Sequence, residues 1–218
     1  MKKISLIALA LFTGLAVYSQ DQPQLKTEMA RKTFFGVKAG ANWAKFNVKD
    51  YPNLKTNNKT SLHAGLFANI PLGSTFNFQP EVLYNAVGSK MNMTAPGGNM
   101  IYEQDLSYVS IPLMFQVGAP GGFYFEFGPQ ASFLLSAKGE GSGMADVDNK
   151  DEFESFDLAL NAGVGFTSRV GVGVHARYSY GLTSVWEDGA GTGVPENGPE
   201  LNNRVLSVGL HYMFGAKN

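Results

Sequence analysis

Residues 122–137 set Phe123, Phe125, Phe127, Pro129, Ala131, Phe133 and Leu135 at every second position, with Tyr124, Glu126, Gly128, Gln130, Ser132, Leu134 and Ser136 between them. Successive side chains of an extended strand point to opposite faces, so this run has one apolar face and one mostly polar face. It is longer than the ~5–6 residues of an ordinary strand and suits the ~9–11 tilted residues that cross a bilayer. A lone spanning strand would leave its backbone donors and acceptors unpaired in lipid, so it requires partners enough to close a barrel.

Seven further segments alternate in the same way: 33–46, 60–71, 75–91, 102–118, 153–168, 170–186 and 203–214. In 102–118, for example, Val109, Ile111, Leu113, Phe115 and Val117 oppose Tyr108, Ser110, Met114 and Gln116. Eight strands, an even number, predict an all-β fold: an eight-stranded antiparallel up-and-down transmembrane β-barrel over residues 33–214, with both ends on one side. Short turns at 72–74, 119–121 and around Arg169 alternate with longer polar loops at 47–59, 92–101, 138–152 and 187–202. Short periplasmic turns and long external loops are the rule for outer-membrane barrels, so both termini are expected to be periplasmic.

The chain begins with Met1-Lys2-Lys3, continues in an apolar stretch from Ile4 to Val17, and reaches Val17-Tyr18-Ser19 at a cleavage-like position. That pattern predicts a secretory signal peptide over 1–19, followed by a flexible periplasmic segment, 20–32, and, after the barrel, a short tail, 215–218. With 17 basic and 18 acidic residues the chain offers no electrostatic footprint for nucleic acid. The absence of cysteine removes disulfides, thiol chemistry and a lipidated cysteine. Beyond the leader no apolar run approaches the ~18 residues of a spanning helix, whereas alternating strands keep average hydropathy low and remain compatible with a membrane.

Trp43, Tyr84, Tyr178, Tyr180, Tyr212 and Phe214 fall on the apolar face, several near strand ends, as interfacial girdles require. A secreted soluble barrel would turn the same apolar face inward and leave the charged face in water. Strand length, loop alternation and the leader favour the outer membrane of a Gram-negative bacterium, with lipid against Phe123, Phe125, Phe127, Phe133 and Leu135.

Several stretches carry a family resemblance: Gly36-Val37-Lys38-Ala39-Gly40-Ala41-Asn42, His63-Ala64-Gly65-Leu66-Phe67, Leu72 through Phe78-Gln79-Pro80-Glu81-Val82-Leu83-Tyr84, Tyr108-Val109-Ser110-Ile111-Pro112-Leu113, Phe127-Gly128-Pro129-Gln130, Ala176-Arg177-Tyr178 and Asn203-Arg204-Val205. In this order they resemble the PorT-like outer-membrane β-barrel family over essentially the whole mature chain. The resemblance implies an eight-stranded outer-membrane barrel. The member that names the family assists a protein-secretion system, but these motifs are mainly structural and do not carry that role over. Phe214 resembles the terminal aromatic recognised by the barrel-insertion machinery, with Gly215-Ala216-Lys217-Asn218 following it.

An eight-stranded barrel is just wide enough for its interior side chains to fill it. The alternation sends Lys38, His63, Glu81, Glu126, Asp157, His175, Arg177 and His211 inward, where charges must be paired or hydrogen-bonded. A network is therefore expected, with an ion pair from Lys38 or Arg177 to Glu81, Glu126 or Asp157. Inward glycines at 40, 65, 128, 163, 165, 173 and 209 are expected to make room for long neighbours.

Three inward histidines raise the question of a metal site, but they come from three strands without local ligand spacing, so hydrogen bonding in a polar lumen is the expected role and no metal or cofactor is expected. Ser110 or Ser179 beside a histidine lacks the Gly-x-Ser-x-Gly context of a hydrolase, and no catalytic residue is assigned. The carboxylates Glu140, Asp146, Asp148, Asp151 and Glu152 lack the turn glycine of a calcium loop and read as a solvated acidic loop. Asp188-Gly189-Ala190-Gly191-Thr192-Gly193 has no strand–helix context for phosphate and reads as loop.

The expected function is that of a non-enzymatic membrane scaffold presenting external loops for adhesion, ligand contact or support of an envelope or secretion assembly. A narrow or gated small-solute channel is the alternative, and an outer-membrane enzyme a third reading. The expected partners are outer-membrane lipids, the barrel-insertion machinery and an envelope protein met through loops or periplasmic turns.

Overall fold

The structure, a computed structural model, describes residues 32–48, 54–95, 98–118, 122–141, 147–148, 150–185 and 201–216. The expected leader, residues 20–31 of the lead-in, most of the 187–202 loop and the Asp188–Gly193 run lie outside the described residues.

Eight long strands close on themselves: β1 (Phe34–Val48), β2 (Leu54–Pro71), β3 (Phe76–Ala95), β4 (Gly98–Gly118), β5 (Phe123–Gly141), β7 (Phe156–Thr167), β8 (Val172–Gly181) and β9 (Leu201–Met213). The two-residue β6 (Val147–Asp148) pairs with β5. Every long strand is antiparallel to its neighbours in the chain, and β1 pairs with β9 to complete the ring. The fold is thus a closed eight-stranded antiparallel barrel. Closure leaves no sheet edge, the condition for strands to cross lipid. Among the described residues no helix is long and apolar enough to cross a membrane.

Local chemistry sets the tight end of the barrel, called here the turn end. Between β7 and β8, the Ser168 amide donates to the Val172 carbonyl at 2.9 Å and the Gly171 amide to the Ser168 carbonyl at 3.0 Å. Gly171 sits at φ 86°, a left-handed conformation that glycine adopts without steric cost. The opposite, loop end departs from expectation. Residues 54–59, 92–95, 98–101 and 138–141 continue the strands, with Ala95 paired to Gly98, so the proposed long loops at 47–59 and 92–101 are mostly ladder. Apolar alternation is silent there because these residues lie beyond the apolar belt of the outer face.

The outward face of the wall is apolar as expected: Phe123, Phe125, Phe127, Phe133 and Leu135 are all exposed, as are Trp43, Tyr84, Tyr178, Tyr180, Tyr212 and Phe214. One correction concerns β5. Ser107 pairs with Ser136 and Tyr108 with Leu134, so Leu135 is an extra, bulged residue. The bulge reverses the alternation beyond it, which buries Ala137 and leaves Ser136, expected inward, half-buried on the outer side.

Candidate functional site in the lumen

The register brings four charges from four strands to one level. Lys38 on β1, Glu81 on β3, Glu126 on β5 and Arg177 on β8 are each at most 4% exposed. Arg177 donates from Nη1 to Glu81 Oε2 at 2.9 Å, from Nη2 to Glu81 Oε1 at 2.8 Å and from Nε to Glu126 Oε1 at 2.7 Å. Lys38 Nζ donates to Glu81 Oε1 at 2.9 Å. Two cations and two carboxylates thus balance, and the planar guanidinium satisfies both acids, a geometry that an ammonium could not reproduce. Toward the turn end, Gln79 donates to Glu81 at 2.8 Å, and Asn69 donates to Gln79 at 3.1 Å and Gln116 at 2.9 Å.

Long inward side chains lie over glycines at the directly paired position of the next strand: His63 over Gly40, His175 over Gly209, His211 over Gly173, Tyr124 over Gly165 and Glu126 over Gly163. A Cβ on Gly40 would fall 2.7 Å from His63 Cε1, and one on Gly209 2.7 Å from His175 Cε1, both too close for real contacts. The glycines therefore act as sockets, and packing of this width needs one small residue for each large one.

The histidines form a file, with ring centroids 5.5 Å apart for His63–His175 and 6.0 Å for His175–His211. His63 Nδ1 lies 2.8 Å from Asn42 Oδ1, His63 Nε2 lies 3.3 Å from His175 Nε2, and His211 Nε2 lies 2.9 Å from Thr167 Oγ1. Among the described residues no three His, Cys, Asp or Glu side chains converge for a metal ion. The two serines considered as nucleophiles bond elsewhere: Ser110 to Ser132 at 2.9 Å, and Ser179 to Asn161.

Asp157 corrects the expectation of a single charge network. Its carboxylate accepts Thr183 Oγ1 at 2.7 Å and Asn203 Nδ2 at 3.0 Å, and no Lys or Arg among the described residues forms an ion pair with it. It forms a separate layer nearer the loop end. The register offsets of neighbouring strands put it there, and alternation reports only the face, not the height.

Beyond Asp157 the barrel reverses character. Ala44, Phe46, Val87, Leu106, Tyr108, Leu134, Phe153, Val185 and Leu201 are buried in an apolar collar inside the wall. At the surface of the same end, Lys59 meets Glu103 at 3.0 Å and Asp105 at 2.7 Å, and Lys90 meets Glu103 at 2.6 Å. Glu103 lies beyond the apolar belt of β4, and hydrogen bonds from Lys90 and then Lys59 hold its carboxyl below the ordinary carboxylate range. This collar was missed from sequence, yet β1 carries its signal. Apolar residues occupy outward odd positions up to Trp43 and inward even positions at Ala44 and Phe46, with Lys45 and Asn47 outside.

A closed barrel that is apolar outside, polar and charge-paired inside, and inverted where one end protrudes is a transmembrane β-barrel. Residues 18–187 match the family described as outer membrane protein beta-barrel domain, and the chain belongs to that family. In fold it is similar to Ail, the attachment invasion locus protein of Yersinia pestis (12% identity, TM-score 0.47, covering 84% of this chain and 99% of that one). It is also similar to Neisserial surface protein A (15% identity, TM-score 0.48, 83% and 97% covered) and to the outer membrane protein OprG of Pseudomonas aeruginosa (12% identity, TM-score 0.41, 83% and 95% covered). No curated protein matched in sequence.

Proposed function

We propose that this protein is a non-enzymatic outer-membrane scaffold whose lumen is sealed and whose working surface is the protruding loop end. The observation that carries this is the double closure of the interior: the Lys38–Glu81–Arg177–Glu126 quartet spans it, and the Phe46–Leu106–Phe153 collar caps it. Two small cavities between the lumen side chains each have room for about one water molecule. Most polar side chains of the lumen bond one another, and among the described residues Ser110 and Ser179 bond Ser132 and Asn161 rather than a histidine.

On this reading the termini are periplasmic, outer-membrane lipids surround the Phe-rich belt, and the insertion machinery engages the Phe214 end. The raised rim meets a ligand, a host surface or an envelope partner, including a secretion assembly of the kind the PorT-like resemblance suggests. Planar-bilayer recording of the full chain tests the proposal: a silent barrel is expected, and steady conductance overturns it.

One observation favours the gated-channel alternative. Phe153 and Val185 come from segments outside the long strands, joined by the Glu154 amide to the Val185 carbonyl at 3.0 Å. They are held to the wall by the Val185 amide to the Leu201 carbonyl at 2.8 Å and the Leu134 amide to the Ser155 carbonyl at 2.9 Å, so this part of the collar hangs on few backbone bonds. That alternative requires the ion quartet to open as well.

A further inference from the structure

We propose that the lumen binds an ordered internal water at His175 Nδ1, at the end of a one-way hydrogen-bond chain that fixes His63 and His175 as neutral, opposite tautomers. The direction follows from one backbone atom. The Ala86 carbonyl can only accept, and it lies 2.8 Å from Asn42 Nδ2, which identifies that atom as the amide nitrogen. The same nitrogen donates to Asn85 Oδ1 at 2.8 Å, so both its hydrogens are engaged. Asn42 Oδ1 is therefore an acceptor. It receives Ser207 Oγ at 2.7 Å and His63 Nδ1 at 2.8 Å, which places the His63 proton on Nδ1.

A neutral His63 then offers a lone pair at Nε2. Its neighbour 3.3 Å away, His175 Nε2, must carry the hydrogen between them, and His175 is left with a lone pair at Nδ1. Neutrality of both rings agrees with the adjoining quartet, whose two cations and two carboxylates already cancel.

His175 Nδ1 is buried and has no hydrogen-bond partner among the described residues. His175 lines the first of these small cavities, whose wall also includes Lys38, Arg177, Gln130, Ser179 and Ser207. The bonds from Lys38 and Arg177 to Glu81 and Glu126 leave N–H groups of both cations over. A water there donates to His175 and accepts from a cation, which meets the requirements of a buried water: a polar site, enough room and several partners. The second cavity shares Asn85, Gln130 and Ser179 with the first and borders Tyr108, Asp157 and Asn203. Water in both connects the ion quartet to the Asp157 layer, which side chains alone leave apart.

The test is solid-state NMR of the full chain in lipid bilayers, with nitrogen-15 histidine. The expected spectrum shows His63 protonated at Nδ1 only, His175 protonated at Nε2 only, and magnetisation transfer from water to His175 Nδ1. A proton on His175 Nδ1, or no transfer from water, overturns the proposal. Asn42→Leu removes the acceptor that starts the chain, and should replace the single His63 tautomer with a mixture. An unchanged spectrum in a folded N42L barrel overturns the one-way chain, and the unsubstituted protein decides the matter even where that variant does not fold. The result is independent of conductance, so this proposal and the sealed-scaffold reading fail separately.

Discussion

Arg177 and Glu81, separated by 96 positions in the chain, face each other across the barrel as a two-pronged pair with contacts of 2.9 and 2.8 Å. The pair ties β8 to β3, strands that share no ladder, so it braces the barrel through its interior rather than around its wall. A buried ion pair is weak evidence of net stability, but removal of one partner leaves the other charged and desolvated.

Arg177→Met is therefore expected to cost about 3–5 kcal/mol, because it strips Glu126 of its cation and leaves Glu81 with Lys38 alone. Urea unfolding in lipid vesicles measures it. Adding Glu126→Gln to R177M should recover part of the loss by removing the orphaned charge, and no recovery would argue that Arg177 acts through packing.

The sockets make a second prediction. Gly209→Ala places a methyl 2.7 Å from His175 Cε1 and also against the Ala39 carbonyl, where the backbone cannot yield. Overpacking of this kind costs about 1–3 kcal/mol, and more where strands must part. The vesicle unfolding midpoint should fall clearly, whereas Gly73→Ala, whose new methyl meets nothing within 4 Å, should leave it unchanged.

Phe127→Arg tests the lipid-facing wall. Phe127 is exposed on the outer face and pairs with Phe115 and Ala162. A cation near the bilayer midplane costs about 2–4 kcal/mol, falling toward zero near the interface. The same change at Lys138, beyond the bulge and already cationic, should be neutral. Equal effects at the two positions would contradict a membrane belt that ends between them.

The protruding hairpin carries a pH dependence with a definite sign. Hydrogen bonds from Lys90 and Lys59 lower the Glu103 carboxyl, so its contribution is present above the ordinary carboxylate range and is lost as pH falls through the lowered value. The groups are partly exposed, and a contribution of about 0.5–1 kcal/mol is expected, screened by salt. The stability difference between the unsubstituted protein and Glu103→Gln should be measurable at pH 7 and vanish in acid. A difference that grows on acidification would reverse the assignment.

Much of the fold was legible because burial by lipid and burial by a lumen impose the same two-residue period on opposite faces. The inward positions of Lys38, Glu81, Glu126 and Arg177 followed from that period alone. Their mutual contacts did not, because height in a tilted barrel depends on cumulative register offsets. The slip between Asn58 and His63 and the bulge at Leu135 alter those offsets without a mark in composition. Asp157 shows the consequence: correct in face, it sits in another layer.

By itself the sequence determined an eight-stranded barrel, the side of the wall that strand residues take where no bulge intervenes, and the apolar belt, since alternation is a local property of extended chain. Only the tertiary structure decided which charges pair, which glycine receives which ring, where the strands run beyond the apolar belt and that an apolar collar lies inside one end. Those outcomes depend on three-dimensional distances between strands far apart in the chain, and distance across a closed barrel is fixed by register, which no single segment encodes.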